Sequence, residues 1–138
     1  MQIADVLDMA AEIMGENGIA AEWSLRIGRK KRTLGVCYFD EKVIELSQYF
    51  IELNNADEVR DVILHEVAHA LAGPGTGHGP VWARTAVRLG AKPQALNHTA
   101  VQPPARWVGI CVHGRHLLDR YRKPRNLNWY CTCDNSRM

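Results

Sequence analysis

Residues 55–82 read NADEVRDVILHEVAHALAGPGTGHGPVW, and this stretch decides both the fold and the chemistry. Residues four apart share one face of an α-helix, so His65 and His69 would aim two imidazoles at one point. Two neutral imidazoles at that spacing can hold one zinc ion, and Glu66 is placed to act as a base on a water held there. The spacing matters only if the segment is helical, and its flanks say that it is. Asn55 followed by Glu58 resembles a capping box, and Asp57, Glu58 and Asp61 favour the positive end of a helix. Val59, Val62, Ile63, Ala70 and Leu71 recur at helical spacing, and Gly73-Pro74-Gly75 ends the run. A helix with two merely solvated or buried histidines is the competing reading, and this context weighs against it. The motif implies a metal-dependent hydrolase, most often a peptidase.

The third ligand is approached by elimination. Catalytic zinc usually takes three protein ligands and keeps one position open. A third His six residues after the second is excluded, because that position is Gly75. A downstream carboxylate is excluded too, since residues 67–118 contain no Asp or Glu. His78, His98, His113 and His116 remain. His78 follows the flexible GPGTG stretch and precedes Gly79-Pro80, where Pro would open the next helix, so the loop can fold it back to the metal. His98 lies among prolines and reads as a surface residue.

With these residues in view, the chain resembles the SprT-like (Spartan-type) zinc metallopeptidase family. The resemblance rests on HEVAH (His65–His69), GHGPVW (Gly77–Trp82), the KVIELSQYF segment (Lys42–Phe50), Leu34-Gly35-Val36-Cys37, and a Cys-bearing tail. It covers roughly residues 1 to 135. It implies a compact zincin-type domain, zinc ligands at His65, His69 and His78, Glu66 as general base, and a link to DNA through cleavage of DNA-bound proteins.

The composition is compatible with that expectation. A chain of 138 residues is one domain's worth and buries about two-thirds of its unfolded surface. No apolar run reaches the roughly 18 residues a membrane span needs, so no membrane partner is expected. The start is acidic (Asp5, Asp8, Glu12) and lacks the basic opening of a secretion signal. Four cysteines are few for a disulfide scaffold. A cytoplasmic monomer is the expectation, nucleoid-associated if it binds DNA, in a short build that suits a bacterial or bacteriophage version.

Charge divides the chain. Residues 1–83 carry seven Lys/Arg against thirteen Asp/Glu, and residues 84–138 carry ten against two, giving −6 and +8 within a total of +2. A basic half of this kind suits contact with a phosphate backbone. Its densest part holds Arg115, Arg120, Arg122, Lys123 and Arg125 around Tyr121, flanked by Trp107, Trp129 and Tyr130, whose rings can stack on unpaired bases. Single-stranded DNA is therefore the expected nucleic-acid partner, against the plainer reading of a solubilising surface. Arg29-Lys30-Lys31-Arg32 lies between two strand-like segments and reads as a charged hairpin turn.

Cys111-x-His113 and Cys131-x-Cys133 form two ligand pairs that a second, structural zinc could bridge. Relatives usually space such pairs two residues apart, whereas both gaps here are one, and His116 could replace His113. Free thiols in a β-hairpin are the alternative. Cys37 sits in an apolar strand pattern, and buried packing is its expected role.

The expected architecture is α+β: a minimal zincin-type domain of helices on a small, antiparallel-containing sheet, with a small C-terminal zinc-ribbon-like β unit. An N-terminal amphipathic helix (Ile3, Val6, Leu7, Ala10, Ile13, Met14) leads to strands at residues 22–27, 33–39 and 42–46, the last two joined at Asp40-Glu41. A short helix at 48–53, the metal helix and a helix at 80–89 follow. The domain reading is 1–92 peptidase-like, 93–105 Pro-rich linker and 106–138 basic tail, with the sheet edge beside the metal helix able to hold an extended peptide. The expected activity is zinc-dependent hydrolysis of peptide bonds in a protein substrate. The alternatives are a non-catalytic zinc-stabilised nucleic-acid-binding or transcription/replication regulatory module, and a hydrolase acting on something other than protein. An intact Glu66 argues against a purely structural zinc.

Overall fold

The structure is a computed structural model and describes residues 1–95, 97, 99–104, 107–110 and 116–120. It divides into two compact units, Met1–Pro103 and Pro104–Met138.

Helix formation in the first unit follows the local signals. α1 (Ile3–Glu16) buries Val6, Ala10, Ile13 and Met14 on one stripe. α2 (Gln48–Leu53) starts at Ser47, whose hydroxyl accepts the Phe50 N–H at 3.4 Å. α3 (Ala56–Ala72) starts at Asn55, whose side chain accepts the Glu58 N–H at 3.0 Å, so that half of the expected capping box forms. The other half does not, because the Glu58 carboxylate turns away to accept from Thr99 Oγ1 at 2.7 Å. α4 (Pro80–Leu89) opens on proline and closes at Gly90, which is left-handed.

Three strands form one mixed sheet: β1 (Ser24–Gly28), β2 (Gly35–Tyr38) and β3 (Val43–Ser47), in the order β1-β3-β2. β1 runs parallel to β3 and β2 antiparallel to it. The order corrects one expectation. Arg29–Arg32 is not a hairpin turn, because β3 lies between the strands that it joins. The connection instead crosses the end of β3, where the Ser47 hydroxyl donates to the Lys30 carbonyl and the Ser47 N–H to the Leu34 carbonyl at 2.9 Å. The hairpin falls at residues 39–42, at the expected Asp40-Glu41, and Lys42 takes a positive φ of 55° there. Strand edges also shift: Trp23, expected in the first strand, precedes β1 and is buried edge-on against Phe39, with ring centroids 5.7 Å apart.

Alternation sorts the sheet's faces. Ile44 and Leu46 are fully buried and join Val59, Ile63 and Val67 of α3, Phe50 and Ile51 of α2, the α1 stripe and Trp82 of α4 in one core. On the other face Glu45 accepts from Arg26 Nε at 3.0 Å and lies 3.7 Å from Lys30 Nζ, so its near-complete burial is compensated.

The described residues of 92–103 lie against α2 and α3. Asn54 donates to the Val101 carbonyl at 2.7 Å and accepts its N–H at 2.8 Å, and Asp61 accepts the Lys92 N–H at 3.0 Å. In the second unit β4 (Trp107–Ile110) and β5 (His116–Arg120) pair antiparallel, with a register shift at Gly109/Ile110. Among the described residues no helix is long and apolar enough to cross a membrane. The architecture is α+β.

Candidate metal centre

α3 delivers His65 and His69 to the same side, one turn apart, as helical spacing requires. The chain then reverses through Gly73-Pro74-Gly75-Thr76-Gly77. Gly75 (φ 83°) and Gly77 (φ 52°) occupy left-handed backbone, where L side chains are strained. Thr76 Oγ1 donates to the Gly73 carbonyl at 2.9 Å and the Gly79 N–H to the Thr76 carbonyl at 3.1 Å, which fixes the turn. His78 emerges just before α4 with its Nε2 3.1 Å from His65 Nε2 and 3.0 Å from His69 Nε2.

Three imidazole nitrogens at this spacing suit a common ligand. Nitrogens about 2.0–2.1 Å from one tetrahedral zinc lie about 3.3–3.4 Å apart, close to the distances found here. The three donors all lie within 4.8 Å of one another and could hold a metal ion; no other such group of three or more His, Cys, Asp or Glu occurs among the described residues. Burial, and then the neighbouring imidazoles, push His65 down to about 4; burial followed by His78 does the same to His69. Both therefore stay neutral near pH 7, the form that binds metal.

Trp82 is the floor of this cluster. It is fully buried, and its ring lies 4.6 Å from His65, 5.3 Å from His69 and 4.7 Å from His78, nearly parallel to His69 at 26°. Its Nε1–H donates to the His65 carbonyl at 3.3 Å. Contact with all three histidines was not legible in the sequence.

Glu66 points to the sheet side of the same cluster, with Oε1 4.0 Å from His65 Nε2. It is 5 % exposed, and burial pushes its carboxyl up to about 8. A bound cation would pull it back toward the carboxylate form. The histidines and Glu66 open onto a cavity of about 830 Å³. β2 lines one side with Gly35, Val36 and Cys37, and Gln94, Asn97, Thr99 and Gln102 line it from the 92–102 segment. Cys37 packs against the core as expected but is only half-buried and also borders the cavity, its thiol pushed up to about 12 by burial and then by the charge of Glu66. Its alternation with Gly35 along β2 was the available signal, but nothing in the sequence gave the face.

Of the remaining expected residues, Arg120 ends β5, and His116 begins it. Cys111, His113, Arg115, Arg122, Lys123, Arg125, Cys131, Cys133 and the alternative His98 lie outside the described residues.

Among solved structures, the fold is similar to that of the metallopeptidase zymogen jannalysin of Methanocaldococcus jannaschii, with a TM-score of 0.50 and 22% identity over 58% of this chain and 76% of that one. A search of curated proteins finds no match. The SprT-like family model matches residues 6–102, which span the metal helix, the returning His78 and the three-stranded sheet; the chain belongs to the SprT-like family.

Proposed function

We propose that this protein is a zinc metallopeptidase that hydrolyses peptide bonds of DNA-bound proteins. The observation that carries the peptidase reading is the convergence of His65, His69 and His78 with Glu66 beside them at one end of an open cavity. The likeness to a metallopeptidase zymogen is in keeping with it.

His65, His69 and His78 would hold the ion, and zinc suits three nitrogen donors with an open fourth position. Bound there, zinc supplies Lewis acidity to a water and to the scissile carbonyl. Glu66 does the proton work: its carboxylate takes the proton of the attacking water and passes it to the departing amine. Shielding by β2 and α3 keeps that carboxylate basic enough to accept it. Among the described residues β2 pairs only with β3, and it lies along the cavity, so its other edge offers N–H and C=O groups to an extended peptide. Trp82 and the Gly loop hold the histidines in place.

The DNA link rests on the +8 charge of residues 84–138, with Arg115, Arg120, Arg122, Lys123 and Arg125 as contacts and single-stranded DNA as the partner. A second, structural zinc at Cys111, His113, Cys131 and Cys133 would brace that tail. An intracellular location follows from this partner.

Cleavage of a DNA-binding protein by the zinc-loaded chain, with and without single-stranded DNA, tests the reading. Cleavage that requires DNA and vanishes in Glu66→Gln supports it. Cleavage indifferent to DNA removes the DNA part, and DNA binding without any cleavage favours a zinc-stabilised binding module.

A further inference from the structure

We propose that Gly35 is a positioning residue: by carrying no side chain, it lets edge strand β2 press directly on α3 and holds the Glu66 stem in its working orientation. The inference rests on the peptidase reading for its functional weight, but its geometry stands alone.

A Cβ built on Gly35 would lie 3.0 Å from Val62 Cγ1, 3.1 Å from Glu66 Cγ and 3.2 Å from Leu46 Cδ2. All three are tighter than ordinary van der Waals contact, and they come from two directions. Val62 and Glu66 are one helical turn apart on α3, while Leu46 is the cross-strand partner of Gly35 on β3. The backbone conformation gives no other reason for glycine, since Gly35 is not among the residues with positive φ. Gly75 and Gly77 are the reverse case, with left-handed backbone and nothing within 4 Å of an added Cβ. Gly35 is there for space.

The three neighbours differ in how they can yield. Leu46 is fully buried in the core, and Val62 is β-branched on a helix and 5 % exposed, so both have little freedom. Glu66 borders the cavity, and swinging its stem toward that opening is the easiest relief. A methyl group at position 35 therefore moves the carboxylate, and the three histidines, none of which is among its three nearest neighbours, are expected to stay where they are. Proton transfer depends on placement to a fraction of an ångström, so such a shift lowers turnover far more than binding.

The test is Gly35→Ala in the full chain, read three ways: kcat and KM on a protein substrate, zinc affinity by chelator competition, and the Glu66 torsions in a crystal structure. The expected result is kcat lowered about tenfold or more, KM and zinc affinity within about twofold of wild type, and Glu66 in an altered rotamer. If Gly35→Ala does not fold, Gly35→Ala with Val62→Ala, compared with Val62→Ala alone, removes the 3.0 Å contact and leaves the one to Glu66; the same fall in kcat is expected there. Wild-type kcat in the variant overturns the proposal. So does a parallel loss of zinc affinity, which would make the glycine a support for the whole helix. A wild-type chain that cleaves nothing defeats the peptidase reading instead, and the Glu66 rotamer then decides the geometric claim by itself.

Discussion

The indole N–H of Trp82 reaches the backbone carbonyl of His65 at 3.3 Å, while its ring lies 4.6 Å from the His65 imidazole. One buried side chain thus ties α4 to the metal helix and limits how the histidines can turn. Trp82→Phe keeps an aromatic ring but loses the donor and part of the buried volume, and should cost about 2–3 kcal/mol of stability; Trp82→Ala should cost about 3–5 kcal/mol. Zinc affinity should fall about tenfold or more in Trp82→Ala, as it does when groups behind a ligand are removed. Chemical denaturation and chelator competition measure the two effects separately.

The Gly loop makes a complementary prediction. An alanine at Gly75 or Gly77 meets no atom within 4 Å, so its only cost is the left-handed backbone, about 1–2 kcal/mol. That cost is met by lower stability or by withdrawing His78, and zinc affinity should fall severalfold in both variants. Gly15→Ala is the control. It lies in α1 without positive φ and with open space around it, so alanine should be neutral or stabilise by about 0.5–1 kcal/mol.

Glu66 should leave a signature in the pH dependence of the metal-free protein. Its folded carboxyl titrates near 8 against an ordinary 4.5, so the unfolded chain releases this proton first as pH rises. Stability is accordingly lost between those two values, and Glu66→Gln should escape the loss. The stability difference should move in favour of the variant by roughly a few kcal/mol between about pH 5 and about pH 8. His65 and His69 titrate in both chains, so the comparison cancels most of their effect. Urea denaturation at the two pH values is the measurement, and a constant difference contradicts the burial argument.

Asn54 anchors the 92–103 segment that borders the cavity. It is 7 % exposed and makes two hydrogen bonds to Val101 and one, at 2.9 Å, to the Phe50 carbonyl. Asn54→Ala leaves these groups without partners and should cost about 2–4 kcal/mol. Hydrogen exchange at the Val101 amide should accelerate by orders of magnitude if this contact holds the segment, and remain slow if it does not.

What the sequence made legible was local. The metal helix announced itself through Asn55, its apolar period and its glycine stop, and His78 through the loop and the Pro80 start. The sheet order was not legible, because alternation in β1, β2 and β3 reports which residues share a face, not which strands are neighbours. Arg29–Arg32 read as a hairpin for that reason, although the chain crosses β3 instead. Gly35 was hidden for a related reason. A glycine needed for space has the same letter as one needed for its dihedrals, and only the packing of α3 on β2 tells them apart. The polar side of the cavity, Asn97 and Thr99 held by Glu58, depends on contacts some 40 residues apart in the chain.

On the proposed reading, three histidines hold one zinc and Glu66 turns the site into a peptidase. The most direct measurement is bound zinc per chain together with protein cleavage, for wild type, Glu66→Gln and His78→Ala. A zinc at His65, His69 and His78 together with cleavage is expected for wild type, the same zinc without cleavage for Glu66→Gln, and loss of both for His78→Ala. Cleavage by Glu66→Gln at the wild-type rate, or unchanged zinc in His78→Ala, would contradict that reading.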